Sequence, residues 1–267
     1  MTRSLSSLAC LLVLWMAGTG VAGAQAIKFD SGQNIVPVFE GWRRNADGSY
    51  KFYFGYMNRN YKEQLDIPVG ANNRFEPGPA DRQQPTHFYA RRHEFVFTVD
   101  VPKDWEKNRR LQWILIVNGK AETANGWLQP EWEVDDGVIQ MNLGGGGAPP
   151  SNPPNQYPTI TTGSKEATAA VNMPVTLTIA AADDGIPRLR KMRPGATPPP
   201  QGLRVRWLHF RGAGRVRFTP ERSEPVHGKP ITESTQAVFD TPGSYLVRAV
   251  VFDGLLETPH DITVTVK

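Results

Sequence analysis

Residues Phe239–Val266 read FDTPGSYLVRAVVFDGLLETPHDITVTV. Tyr245, Val247, Ala249 and Val251 alternate with Leu246, Arg248 and Val250, the two-residue period of an extended strand. Asp253-Gly254 breaks the run, and Ile262, Val264 and Val266 start a second alternating set whose other face is Thr263, Thr265 and Lys267. Two such strands around an Asp-Gly turn predict the last hairpin of an antiparallel β-sandwich.

The same reading extends through the chain. Asn45-Ala46-Asp47-Gly48 is a hairpin turn between Phe39/Trp42 and the aromatic run Tyr50–Tyr56, whose rings on both faces predict a strand that is central or partly covered. Glu94–Val101 alternates with Phe95, Phe97 and Val99 on one face, and Leu111–Val117 ends at Asn118-Gly119. Lys103–Arg110 has room for one helical turn, and no segment sustains a helical period. Asn58–Phe88 is a long Pro/Asn-rich excursion, anchored by Phe75, Phe88 and Tyr89, with a short edge strand at Ile67–Val69. Gly144–Pro158 (GGGGAPPSNPPNQYP) is a linker by composition, flexible at its glycines and extended at its prolines. Beyond it, Val175–Ile179, Leu203–Trp207 and Arg215–Phe218 alternate as strands. The expected fold is all-β: two β-sandwich domains, residues 34–143 and 159–267, joined by the linker 144–158.

The first 26 residues have the form of an export signal: Arg3, an apolar run Leu8–Met16, and small residues at Ala22-Gly23-Ala24 or Ala24-Gln25-Ala26. That run is too short to span a bilayer, and no later stretch approaches the roughly 20 apolar residues a span needs. The expected product is periplasmic or secreted. Cys10 is the only cysteine and lies in the leader, so the remainder has neither a disulfide nor a thiol nucleophile. Roughly 240 residues remain, enough for two domains of about 100 each. The net charge of +4 is too mild for a nucleic-acid binder.

The second half resembles the PKD-like and REJ-type immunoglobulin-like domains of surface and secreted proteins. The matching residues are Trp207, Gly212, Gly214, Val216, Phe218, Phe239, Pro242, Gly243, Tyr245, Asp253, Gly254, Val264 and Val266, within about residues 157–267. The resemblance implies an immunoglobulin-like sandwich and no chemistry, since those positions serve turns and core. The segment lacks the Trp-Asp-Phe-Gly-Asp-Gly signature of the PKD pattern and carries a basic, Pro-rich insertion at Ile186–Gln201. The first half is similar to the N-terminal part of exported bacterial proteins with this layout, which assigns no activity.

Catalytic signatures are absent from the sequence: there is no Gly-x-Ser-x-Gly elbow and no phosphate-binding loop. His87, His93, His209, His227 and His260 have no metal-ligand spacing, so neither a metal nor a cofactor is expected. Asp66, Asn72, Asn73, Glu76 and Asp81 in the long loop are oxygen donors of the kind calcium takes, and turn chemistry explains them equally. The strongest polar anomaly is basic: Arg188, Arg190, Lys191, Arg193, Arg204, Arg206, Arg211, Arg215 and Arg217 in a stretch without acids. A solvated sheet face accounts for it; so does an anionic partner, for which Arg188, Arg190, Lys191, Arg193, Arg204 and Arg206 are the candidate residues. Trp127 and Trp132, near Pro130, are candidates for stacking against a sugar. The expectation is a non-catalytic exported protein that binds a protein or anionic glycan. The alternative is a hydrolytic enzyme using loop carboxylates such as Glu76, Asp81 and Glu131.

Overall fold

A computed structural model describes residues 28–145, 151–188 and 202–267. The leader therefore lies outside the described residues, as do Arg190, Lys191, Arg193 and the middle of the Gly/Pro linker.

The first half is a two-layer sandwich. Strands β1 (Ile35–Arg44) and β2 (Tyr50–Asn58) form the hairpin predicted at Asn45–Gly48. Short strands β3 (Leu65–Asp66), β4 (Asn73–Glu76) and β5 (His87–Phe88) follow, then β6 (Arg91–Val101), β7 (Leu111–Val117) and β8 (Lys120–Gly126). One sheet is β1-β2-β6, with the aromatic strand β2 in the centre; the facing sheet is β4-β7-β8. Phe52, Phe54, Phe75, Phe88 and Trp113 are wholly buried between them, with the Phe54 ring edge-on to both Phe75 and Trp113. Edge-to-face geometry sets the positive ring edge against a negative ring face, which lets a disulfide-free core pack many rings.

The long excursion is ordered by its buried amides. Asn73 donates to the Ile67 and Pro85 carbonyls at 2.9 and 2.8 Å, and its amide oxygen accepts from the Trp113 indole at 3.0 Å. The short strand expected at Ile67–Val69 falls instead at Leu65–Asp66, paired with His87–Phe88, because Ile67 turns into the core. Phe95 also departs from expectation. The β2–β6 register shifts opposite Gly55, Phe95 takes φ +48°, and its ring meets Tyr53 on the outer face while Phe97 and Val99 stay inside. Gly55 is required there: a Cβ would stand 2.1 Å from a Glu40 carboxylate oxygen and 2.4 Å from the His93 carbonyl.

A 3₁₀ turn, Pro130–Trp132, and a short helix α1 (Asp136–Gln140) end this half; the periodicity gave no sign of the helix. Asp135 caps it by accepting from the Val138 N–H at 2.8 Å.

The second half contains β9 (Thr159–Gly163), β10 (Glu166–Ala169), β11 (Val175–Ala182), β12 (Arg204–Arg211), β13 (Val216–Thr219), β14 (Ile231–Phe239), β15 (Gly243–Phe252) and β16 (Glu257–Val266). The sheets are β13-β14-β11-β9 and β10-β16-β15-β12, with β10 parallel to β16. This pairing is the two-sheet order of the immunoglobulin fold, with β11, β12, β14, β15 and β16 in the places of its B, C, E, F and G strands. Two further features agree. Trp207 on β12 is wholly buried, and the Tyr245 hydroxyl donates back to the Thr241 carbonyl at 2.7 Å, a tyrosine corner at the start of β15. Val247, two residues on, stands where antibody domains place a disulfide cysteine; here aliphatic packing replaces the bridge. Gly212, at φ +139°, leaves room for Tyr245, whose ring would be 2.3 Å from a Cβ at that position.

Candidate functional site: the cleft between the sandwiches

Alternation along β12 fails at one point. His209 and Phe210 are consecutive and both buried, and the β12–β15 register shifts between His209 and Arg211. The bulge turns Phe210 away from its own sandwich and into the core of the other, where it is only 3% exposed. Backbone bonds close the seam around it. The Thr86 N–H donates to the Phe210 carbonyl at 3.0 Å, Gly212 N–H to Thr86 Oγ1 at 3.1 Å, and His209 N–H to the Tyr89 hydroxyl at 2.8 Å. Arg248 lies over the Phe210 ring at 3.6 Å and donates to the Val96 carbonyl at 2.7 Å. Arg211 pairs with Asp81 at 2.8 Å. The linker is held too: Tyr157 donates to Asp136 at 2.9 Å, and buried Asn155 donates to Asp253 at 3.0 Å.

Docking leaves a cavity of about 540 Å³ between β6 and the outer face of the β12-β15-β16 sheet, with the chain around α1 as a third wall. Tyr53, Tyr56, Tyr89, Tyr157 and Phe95 supply rings; Arg92, Glu94, His93, Arg206, Arg248 and Glu257 supply polar groups. The three guanidiniums are each held by carboxylate. Arg92 forks onto Glu40 at 2.6 and 2.8 Å with Glu94 at 3.8 Å, Arg206 meets Glu257 at 3.5 Å, and Arg248 meets Asp261 at 2.6 Å. Burial pushes Glu257 up, opposed by Arg206 and Arg204. Burial holds His93 down to about 4, despite its 3.1 Å contact with the Ala90 carbonyl. It raises the Tyr89 phenol to about 12. At neutral pH the cleft is therefore near charge balance, lined with phenols and an uncharged imidazole.

The residues singled out from the sequence are scattered. Arg188 is exposed. Arg204 lies 4.8 Å over Phe252 and is lowered by burial first and by nearby Arg222 and Arg206 next. Arg206 shares the β12 face with Arg204, as expected, and lines the cleft beside Glu257. Arg215 and Arg217, by contrast, flank and lie on β13 of the opposite sheet, so the described part of the basic stretch does not form one surface. Trp127 is half-buried, with Phe39 stacked at 6.5 Å and Arg110 over its ring at 5.0 Å. Trp132 is 40% exposed, with one face toward Phe39 at 5.6 Å. Neither tryptophan lines the cleft.

The three loop carboxylates also stand apart: Glu76 pairs with Arg74, Asp81 with Arg211, and Glu131 is exposed on the 3₁₀ turn. Of the loop's oxygen donors, the Asn73 side chain is spent on internal bonds, while Asp66 meets His87 Nδ1 at 2.7 Å. His209, from the second sandwich, stacks on His87 with centroids 4.6 Å apart. Spacing could not reveal this grouping, because the residues come from different sandwiches. The break of alternation at His209-Phe210 was the available signal.

No protein-family model and no curated protein matches the chain. Among solved structures it is similar to the N-terminal Ig1-2 module of the Drosophila receptor protein tyrosine phosphatase DLAR, at 9% identity and TM-score 0.30, covering 88% of this chain and 98% of that one. It is also similar to titin domain M7, at 14% identity and TM-score 0.27 over 42% of this chain and 96% of that one. Domains 4 and 5 of the S-layer protein SbsC match at 9% identity and TM-score 0.24, over 88% and 98%.

Proposed function

We propose that this chain is a non-catalytic, exported binding protein whose two docked sandwiches hold a short, largely uncharged glycan in the cleft between them. The observation that carries the reading is the cleft itself. A cavity of about 540 Å³ falls in the roughly 300–1,000 Å³ range of small-ligand sites. Its rings offer faces for C–H-rich sugar surfaces, and its phenols and paired Arg/Glu groups offer donors and acceptors for hydroxyls. A cleft whose guanidiniums are already neutralised gains little from a charged ligand, which favours a neutral sugar over the anionic glycan suggested by arginine count alone. Export is carried by the leader and remains part of the proposal.

Affinity electrophoresis of the purified protein through gels containing neutral and acidic polysaccharides tests this. Retardation by a neutral glycan should disappear in Tyr157→Ala and Phe95→Ala and persist in Trp132→Ala. Retardation by acidic glycans alone, abolished by Arg188→Ser with Arg204→Ser, would overturn it in favour of an anionic partner.

A further inference from the structure

We infer that Asp66, His87 and His209 form a binding site for a divalent transition-metal ion of the zinc class, straddling the two sandwiches where His87 and His209 line the cleft. One ligand atom from each of the three lies within 4.8 Å of the others. Proximity alone would carry little; the state of the two imidazoles carries more. His209 is only 2% exposed, and neither of its ring nitrogens has a hydrogen-bond partner. Burying an imidazole with both nitrogens idle costs free energy that a metal–nitrogen bond would recover.

His87 is arranged as a ligand is. Its Nδ1 faces the Asp66 carboxylate at 2.7 Å, and its Nε2 contacts the Gln64 amide oxygen at 2.9 Å. In metal sites the far nitrogen of a ligating histidine donates to a carbonyl or carboxylate, which fixes the tautomer and aims the other nitrogen at the ion. Gln64 fills that place. On binding, the ion replaces the proton between Asp66 and His87 Nδ1, and His209 moves from an unpartnered ring to a third ligand. Two imidazoles and one carboxylate suit zinc and related ions better than calcium, which prefers all-oxygen shells. Asp66 is exposed, so a water can complete the shell. The ion would tie β3 and β5 of one sandwich to β12 of the other. His87 and His209 line the same cavity as Tyr157 and Phe95, whereas Asp66 and Gln64 lie outside its lining, so variants of those two residues test the metal without removing a proposed glycan contact.

The test uses the untagged protein, stripped with chelator, incubated with Zn²⁺ and dialysed, with metal counted by plasma mass spectrometry and affinity measured against a chromophoric chelator. The expected result is one zinc retained per chain. Asp66→Asn and His209→Gln should lose it, and Gln64→Ala should bind roughly 10- to 100-fold more weakly. Asp66 and Gln64 are exposed, so their variants keep the fold even if His209→Gln does not. Cobalt substitution should give visible absorption that Asp66→Asn abolishes. No zinc retained by the wild type, or retention unchanged in Asp66→Asn, overturns the site whatever the outcome of the glycan experiment.

Discussion

Phe210→Ala should uncouple the two sandwiches. Phe210 sits on β12 of the second sandwich yet is buried in the core of the first, so its side chain, flanked by the partly buried Leu246 of β15, is the main apolar link between them. Removing a buried phenylalanine costs about 3–5 kcal/mol in lost transfer and cavity. Its contact with Arg248 at 3.6 Å adds a cation–π contribution of about 0.5–1 kcal/mol. The backbone bonds across the seam survive the change, because they use the Phe210 carbonyl and the N–H groups of Thr86, His209 and Gly212. The loss thus falls on docking rather than on either sandwich. Differential scanning calorimetry of the wild type should give one cooperative transition, and Phe210→Ala should give two, the lower moved down by several degrees. Arg211→Ala is the control. It removes a part-exposed ion pair to Asp81, worth about 0.2–1 kcal/mol, and should leave a single transition. A Phe210→Ala protein with the wild-type profile, or no more disturbed than Arg211→Ala, would refute the view that this ring couples the halves.

Further outcomes follow from single residues. Gly212→Ala should destabilise by roughly 2–4 kcal/mol in urea titration, because a Cβ there meets the Tyr245 ring at positive φ; a neutral substitution would discount the tyrosine corner as a packed feature. Tyr245→Phe should cost about 1 kcal/mol, the value of one hydroxyl bond to the Thr241 carbonyl. His93, held near 4 by burial, binds its proton less readily folded than unfolded. Its contribution is therefore complete above about pH 6.5 and is lost as pH falls toward 4, amounting to about 2–3 kcal/mol by pH 4.5. Denaturation curves at pH 7.5 and 4.5 should show that loss in the wild type and a smaller one in His93→Gln; identical losses would exclude His93 as a source.

Period-two alternation made the strands and the terminal hairpin legible, because each face of a sandwich strand meets either core or water. The Asn45–Gly48 and Asn118-Gly119 turns were readable for the same local reason: their residues tolerate the left-handed backbone that tight turns use. Other elements were not readable. β9, β10 and β14 are rich in Thr and other small or polar residues, and their apolar face shows only once partner strands are in place. Helix α1 is too short to express a period. Phe95 left its expected face because a bulge at Gly55 depends on the partner strand, which local sequence does not specify. The candidate site was the least legible part, since its walls come from β6, α1 and three strands of the other sandwich. Of the cleft arginines only Arg206 belongs to the basic run visible in the sequence, and the carboxylate that neutralises it, Glu257, lies 51 residues further along the chain.

Hydrogen–deuterium exchange of the full chain, with and without a glycan it retains, tests the central claim most directly. The account predicts added protection at Arg92–Phe97 on β6, around Tyr157, and at Arg206–Phe210, with Trp127–Trp132 unchanged. Protection confined to Trp127–Trp132, or absent from both walls of the cleft, would contradict it.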